Sequence, residues 1–373
     1  MRRANILLLL GCIFLSFGYT TRTSENEVSK IYLIDNTLIR TTPGTGIRFY
    51  DISNPASATL KGEISLQENT DVAATGTIMY ADRGYDLLVY DISDPTAPQL
   101  IDSVMKVFNY LNYSPTWEDD VWVGDEDDWG GMSGCGGAGC SESAPVSAKA
   151  NDAASGGESG QGGSLTRFMI VGDYLYCVDR VALKVFDISD PKRPRYRNSV
   201  DVAWDIETIF HDGEHLFIGG QRGMYIYSLD NNEQPEYISQ FTHANSCDPV
   251  VVDGDRAYVT LRGGSPCGGF SNQLDIIDIS DIRNPKLLKT VEMTEPFGLA
   301  ARDSKVLVCD GQAGMKTLDV ANLDNITQCG GISGMTTHDV IWYGNLLILT
   351  AEEGFYTYDI SDPCNPTKFG QLF

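Results

Sequence analysis

The chain has 373 residues, 42% of them hydrophobic, which is enough to build a large core. Its 51 acidic residues against 27 Lys and Arg give a net charge of −24. Such a surface repels nucleic acid and anionic head groups, so DNA, RNA and lipid-surface binding are excluded as partners.

The N-terminus reads as an export signal. Arg2 and Arg3 precede the apolar run Ile6-Leu7-Leu8-Leu9-Leu10, and Ser16-Phe17-Gly18 has small residues at the positions a signal peptidase reads. Cleavage after Gly18 makes residues 1–18 a signal peptide. The alternative is a lipoprotein signal ending before Cys12, in Leu9-Leu10-Gly11-Cys12, with the lipid on Cys12 as the only route to a membrane. Either way the mature chain is expected outside the cytoplasm, in the periplasm, at the cell surface or secreted.

From about residue 28 to 373 one phrase returns. It reads Tyr50-Asp51-Ile52-Ser53-Asn54-Pro55, Tyr90-Asp91-Ile92-Ser93-Asp94-Pro95 and Phe186-Asp187-Ile188-Ser189-Asp190-Pro191. It recurs at Ile277-Asp278-Ile279-Ser280-Asp281 and Tyr358-Asp359-Ile360-Ser361-Asp362-Pro363, with weaker copies at Tyr227-Ser228-Leu229-Asp230 and Leu318-Asp319-Val320-Ala321. A period of about 40 residues marks a repeat architecture. Seven copies fit, with insertions of about ten and about 56 residues. Each copy reads as four short strands; in the second they are Asp71–Ala74, Thr77–Tyr80, Leu87–Asp91 and Gln99–Val104. No long segment keeps a helical apolar period, so the fold class is all-β, a seven-bladed β-propeller of four-stranded blades. The phrase itself is turn chemistry, since Asp and Ser accept turn N–H groups and Pro stops the strand. The last copy ends at Phe373, so no strand exchange between termini is needed.

The long insertion, about 108–164, opens with Trp117, Trp122 and Trp129 among acidic residues and dissolves into Gly, Ser and Ala through Gly163. The aromatic half is a candidate binding segment, with surface packing as the simpler role. The Gly-rich half is expected to be flexible. The connection should place the insertion on the face bearing Cys247 and Cys267. Those two are the expected disulfide, with Cys135 and Cys140 as a second pair. Cys177 and Cys309 fall inside second strands as buried thiols, while Cys329 and Cys364 are placed in different connections with their pairing open.

The strand and turn Lys184–Pro191 resembles the LVIVD repeat family of bacterial β-propellers. The stretches Ser246–Val252 and Cys267–Phe270 resemble a Bacteroidetes-type secreted or surface subgroup. The resemblance covers about residues 28–373 and implies a propeller at or outside the inner membrane, without implying a reaction. It departs at Ser228 and Leu318-Asp319.

Candidate binding residues gather where innermost strands begin, at the mouth of the central channel. They are Asp71, Arg167, Glu207, His243, Asp248, His338 and Asp339. The competing reading is that these carboxylates cap strand ends. Catalytic and metal residues are not indicated: no nucleophile elbow, His-Glu-x-x-His or phosphate loop occurs, and four His offer no metal spacing. No cofactor is implied, and a structural calcium is left open. The expected function is a non-catalytic binding or scaffold module, a monomer whose partner is a protein or glycan of the cell envelope. The alternative is a carbohydrate-active hydrolase or lyase using the channel-mouth carboxylates.

Overall fold

The computed structural model describes residues 29–109, 159–243, 249–264 and 271–372. Their strands form seven antiparallel sheets, covering residues 30–65, 72–104, 168–201, 206–242, 250–292, 299–332 and 337–372 as blades 1 to 7. The expected β-propeller is found, and the described residues contain no helix. In the second repeat the strands are Val72–Thr75, Ile78–Arg83, Asp86–Asp91 and Gln99–Val104, within two residues at the starts and three at the ends of those read from sequence.

The innermost strands are Lys30–Ile34, Val72–Thr75, Phe168–Val171, Ile206–His211, Val250–Asp253, Leu299–Arg302 and Thr337–Tyr343. Each touches the next, and the seventh touches the first, which closes the ring around a channel. The end where they begin is called here the upper face. The other end, the lower face, carries the first hairpin and the repeat turn of each blade side by side. The two are tied where Ile52 N–H donates to the Asn36 carbonyl at 2.8 Å.

The repeat phrase forms its turn by local bonds. Asp51, Asp91, Asp187, Asp278, Asp319 and Asp359 each accept the N–H two residues on, at 2.8–3.1 Å. The turn then serves the neighbouring blade. Tyr80 donates its hydroxyl to the Pro191 carbonyl at 2.8 Å, Thr317 to Pro363 at 2.9 Å and Thr357 to Pro55 at 2.6 Å. The last bond joins blade 7 to blade 1, beside the edge-on Tyr50–Phe355 ring pair at 4.9 Å. Blades 1 and 7 are each built from one continuous stretch, so the ring closes by packing.

The core is a series of apolar layers between adjacent blades, such as Ile31, Leu33, Tyr50, Ile348 and Phe355 between blades 1 and 7. Each such side chain, fully buried, contributes about 1.5–3 kcal/mol.

Cys329 pairs with Cys364. Cys329 lies in an outermost strand, Thr327–Ile332, and not in a connection as expected from sequence. That strand is polar and Gly-rich because its outer edge faces solvent, so it lacks the apolar alternation that marks strands. Cys364 sits in the repeat turn of blade 7, so the disulfide stitches blade 6 to blade 7 at the rim. Cys177 and Cys309 are buried free thiols on second strands. The other expected cysteines, Cys12, Cys135, Cys140, Cys247 and Cys267, lie outside the described residues, as do residues 1–18.

Candidate functional site

The channel holds a piece of the chain's own insertion. Residues 159–166 run through it antiparallel to the innermost strand of blade 1, where Gln161–Gly162 adds a fifth strand opposite Leu33 and Tyr32. At the lower end Ser159 bridges Thr75, and Gly160 N–H donates to the Ala74 carbonyl at 3.1 Å. Midway, Gly163 N–H donates to the Ile31 carbonyl at 3.1 Å. From Ser159 on the Gly-rich sequence is thus hydrogen-bonded within the channel, while the rest of the stretch expected to be flexible lies outside the described residues. A Cβ on Gly160 would run into the Tyr32 ring and the Leu33 carbonyl, and one on Gly163 into the Asp339 carboxylate. Glycine here permits close approach rather than disorder.

Two carboxylates fix the upper end of this segment. Asp339 Oδ1 accepts Ser164 N–H at 3.2 Å and Ser164 Oγ–H at 3.0 Å, while Ser164 Oγ accepts Leu299 N–H at 2.8 Å. Asp71 accepts the Arg167 N–H and the Thr166 hydroxyl, and it pairs with Lys30 Nζ at 3.4 Å. Burial pushes the Asp339 carboxyl up to about 6, although Val340 N–H and Ser164 work against that shift. Its Oδ2 is buried with no hydrogen-bond partner among the described residues. Burial also drives Lys30 down. Beside Asp71, the buried Asp82 accepts Thr70 N–H at 2.9 Å and Asp71 N–H at 2.8 Å, and burial raises it to about 6.

The insertion does not stay on one face. It leaves blade 2 on the upper face, where Asn109 N–H donates to the Asp179 carboxylate of blade 3 at 3.0 Å. It returns at Ser159, at the lower end of the channel. Residues 110–158 join these two points and lie outside the described residues, with Trp117, Trp122 and Trp129 among them.

At the upper mouth the remaining candidates fall into two groups. Arg167 Nε donates to the Glu207 carbonyl at 3.3 Å, and Gln221 Nε2 donates to Glu207 Oε1 at 3.3 Å. Across the mouth the Arg262 guanidinium stacks 4.0 Å above the Phe297 ring, which meets His338 edge-on at 5.1 Å. Burial raises Glu207 and lowers both Arg262 and His338. His338 Nδ1 is buried with no hydrogen-bond partner among the described residues. His243 lies on the connection out of blade 4, its N–H on the Arg222 carbonyl at 3.4 Å. Asp248 lies outside the described residues.

The arrangement offers a stacked cation and an imidazole at the rim of a filled channel. Sequence reasoning missed Arg262, Phe297, Gln221, Ser164 and Thr166. Only Ser164 and Thr166 carried a signal, as hydroxyl residues just before a first strand. Among the described residues no group of His, Cys, Asp or Glu is arranged to hold a metal ion.

The LVIVD repeat matches residues 49–65, 69–106, 162–202 and 246–293. These matches fall on blades 1, 2, 3 and 5, and the structure extends the same blade plan to the other three. No curated protein matches the chain. Among solved structures it is similar to BamB from Moraxella catarrhalis, at 8% identity and a TM-score of 0.55, covering 87% of this chain and 82% of that one. It is also similar to a functionally unknown protein from Desulfotomaculum acetoxidans, at 10% identity and a TM-score of 0.53, covering 92% and 95%. The computationally designed Ika8 protein matches at 11% identity and 0.54, covering 90% and 84%. At such identities the likeness is one of fold alone.

Proposed function

We propose that this protein is a non-catalytic binding module of the cell envelope, of the Bacteroidetes-type secreted or surface subgroup of LVIVD propellers. It is exported by cleavage after Gly18 or held by a lipid on Cys12. Its working surface is the upper mouth, where Arg262, Phe297, His338 and Glu207 face a protein or glycan partner.

One observation carries this reading. The two buried carboxylates of the channel, Asp71 and Asp339, are committed to holding the chain's own residues Ser164, Thr166 and Arg167. A carboxylate-pair hydrolase needs two acids open to a substrate, and these are not. His338, whose buried Nδ1 has no hydrogen-bond partner among the described residues, and the stacked Arg262 sit at the rim instead. The Cys329–Cys364 bridge fits an oxidising compartment.

The test is capture from the native envelope with the intact chain as bait, read by mass spectrometry, beside an Arg262→Ala, His338→Ala double variant. The expected result is a partner retained by the intact chain and lost by the variant. Equal recovery by both would remove the upper mouth as the binding surface. A companion variant shortens 110–158 to a linker, keeping Ser159 onward so that the channel stays filled.

A further inference from the structure

The lower face carries a second feature, independent of the upper mouth. In six blades two residues join the first and second strands, as in the pairings Ile34 with Thr37, Thr75 with Ile78 and Val171 with Tyr174. The same holds for Asp253 with Arg256, Arg302 with Lys305 and Tyr343 with Leu346. In those six the residue after the repeat Asp locks the turn to that hairpin, through Ile52, Ile92, Ile188, Ile279, Val320 and Ile360 N–H bonds of 2.7–3.0 Å. Blade 4 keeps a two-residue join, Gly213 and Glu214, with Asp212 N–H donating to the His215 carbonyl at 3.3 Å, but it departs at the lock. Ser228 stands where the repeat has Asp, and among the described residues Leu229 makes no locking bond.

A cavity of about 730 Å³ opens where the lock is missing, between blade 4, the first hairpin of blade 3 and the repeat turn of blade 5. That size lies within the range of about 300–1,000 Å³ typical of small-molecule sites. Two of the chain's four His line it, His211 and His215. His211 Nε2 is buried with no hydrogen-bond partner among the described residues, and burial lowers its pKa, which keeps the ring neutral. His215 Nδ1 is held by Asp212 Oδ2 at 3.3 Å. Tyr237, 55% exposed, is fixed edge-on by the Tyr227 ring at 5.8 Å. Glu214, Asp230 and Glu236 outnumber Arg283 in the lining.

We propose that this cavity binds a small polyhydroxylated amine of the amino-sugar type. The surplus carboxylates accept hydrogen bonds from an ammonium and from hydroxyls, and they repel anions. The neutral His211 ring in the lining leaves the carboxylate surplus uncompensated. A fixed, exposed Tyr ring covers the apolar C–H face of a pyranose.

The probes are D-glucosamine, D-glucose and n-butylamine, titrated into the intact chain by NMR with the imidazole and Tyr ring signals in view. Glucosamine is expected to bind about tenfold more tightly than either other probe and to move the His211 and Tyr237 signals. His211→Ala, Tyr237→Ala and Glu236→Gln should each weaken it about fivefold or more. Glu236 and Tyr237 are exposed, so these two keep the test readable if the His211 variant unfolds. No glucosamine binding, binding unchanged in the variants, or butylamine binding as tightly as glucosamine would each overturn the proposal.

Discussion

Asp339 in the channel and Asp187 in a rim turn both accept backbone N–H groups, from Ser164 and Val340 in one case and from Ser189 in the other. Their surroundings set them apart. Asp339 is fully buried and its carboxyl is pushed up to about 6 by that burial. Asp187 is near solvent, and the Arg197 guanidinium, together with Ser189, holds it well below the usual range. The same chemistry thus fixes a local turn at low electrostatic cost at the rim, and a distant segment at high cost in the channel. The costly use is where the fold departs from a bare repeat, because the residues it holds come from outside the blade plan.

The largest expected effect comes from the channel. Gly163→Val drives its side chain into Asp339 and should cost about 3 kcal/mol or more, with new protease cuts within residues 159–166. Limited proteolysis and urea unfolding measure both. A variant as stable and as resistant as the parent would break the comparison.

The rim disulfide comes next. Cys364→Ser should cost about 2–4 kcal/mol, and a reductant should reproduce that loss on the parent. Protection of the channel segment should stay as it is, because the bridge lies on the outer strand. A loss of that protection would show that rim and channel are one cooperative unit.

The two kinds of aspartate also predict opposite pH limbs. Asp82 and Asp339 have folded values raised to about 6, so the folded state binds more protons than the unfolded one between about 4 and 6. Stability therefore falls as pH rises through that window. The rim aspartates are lowered, Asp51 to about 2 by its bonds from Ser53, so their contribution is present above about 4 and lost as pH falls toward 2. Urea midpoints should peak near pH 4–5. Asp339→Asn should flatten the upper limb and leave the acid limb alone. An unchanged upper limb in that variant would remove Asp339 as its source.

The smallest effect is at a single turn. Asp278→Ala removes two bonds of one turn, from Ser280 N–H at 2.9 Å and Ser280 Oγ–H at 2.6 Å, in an exposed place. Its thermal midpoint should move less than that of any channel variant, as differential scanning calorimetry would show. A larger shift than Gly163→Val would invert the ranking.

How much was legible in the sequence follows the same division. The repeat turns could be read because their bonds run from residue i to i+2, and every copy restates them. The broken copy at Ser228 was visible as a departure, and it marks the blade with the open cavity. The channel segment was not visible. Ser164 and Asp339 are 175 residues apart, and no local pattern announces a bond of that range. Composition gave no signal there, since a Gly run reads the same whether its glycines serve freedom or close approach. The Cys329–Cys364 pair failed to declare itself for a related reason, as its strand Thr327–Ile332 is polar on the solvent side and Gly-rich. Of the mouth residues, Asp71, Arg167, Glu207 and His338 were read to this place in the fold because the repeat fixes where innermost strands begin. Arg262 and Phe297 were not, because the repeat assigns no chemistry to the second-strand end or the preceding connection.

The most direct test of the filled channel is native-state amide hydrogen exchange over residues 159–166, read by NMR or mass spectrometry. Gly160 and Gly163 N–H groups, bonded to Ala74 and Ile31 carbonyls, should exchange as slowly as the innermost strands beside them. Exchange as fast as that of the exposed rim turns would mean that the segment does not occupy the channel and that Asp71 and Asp339 are free for other work.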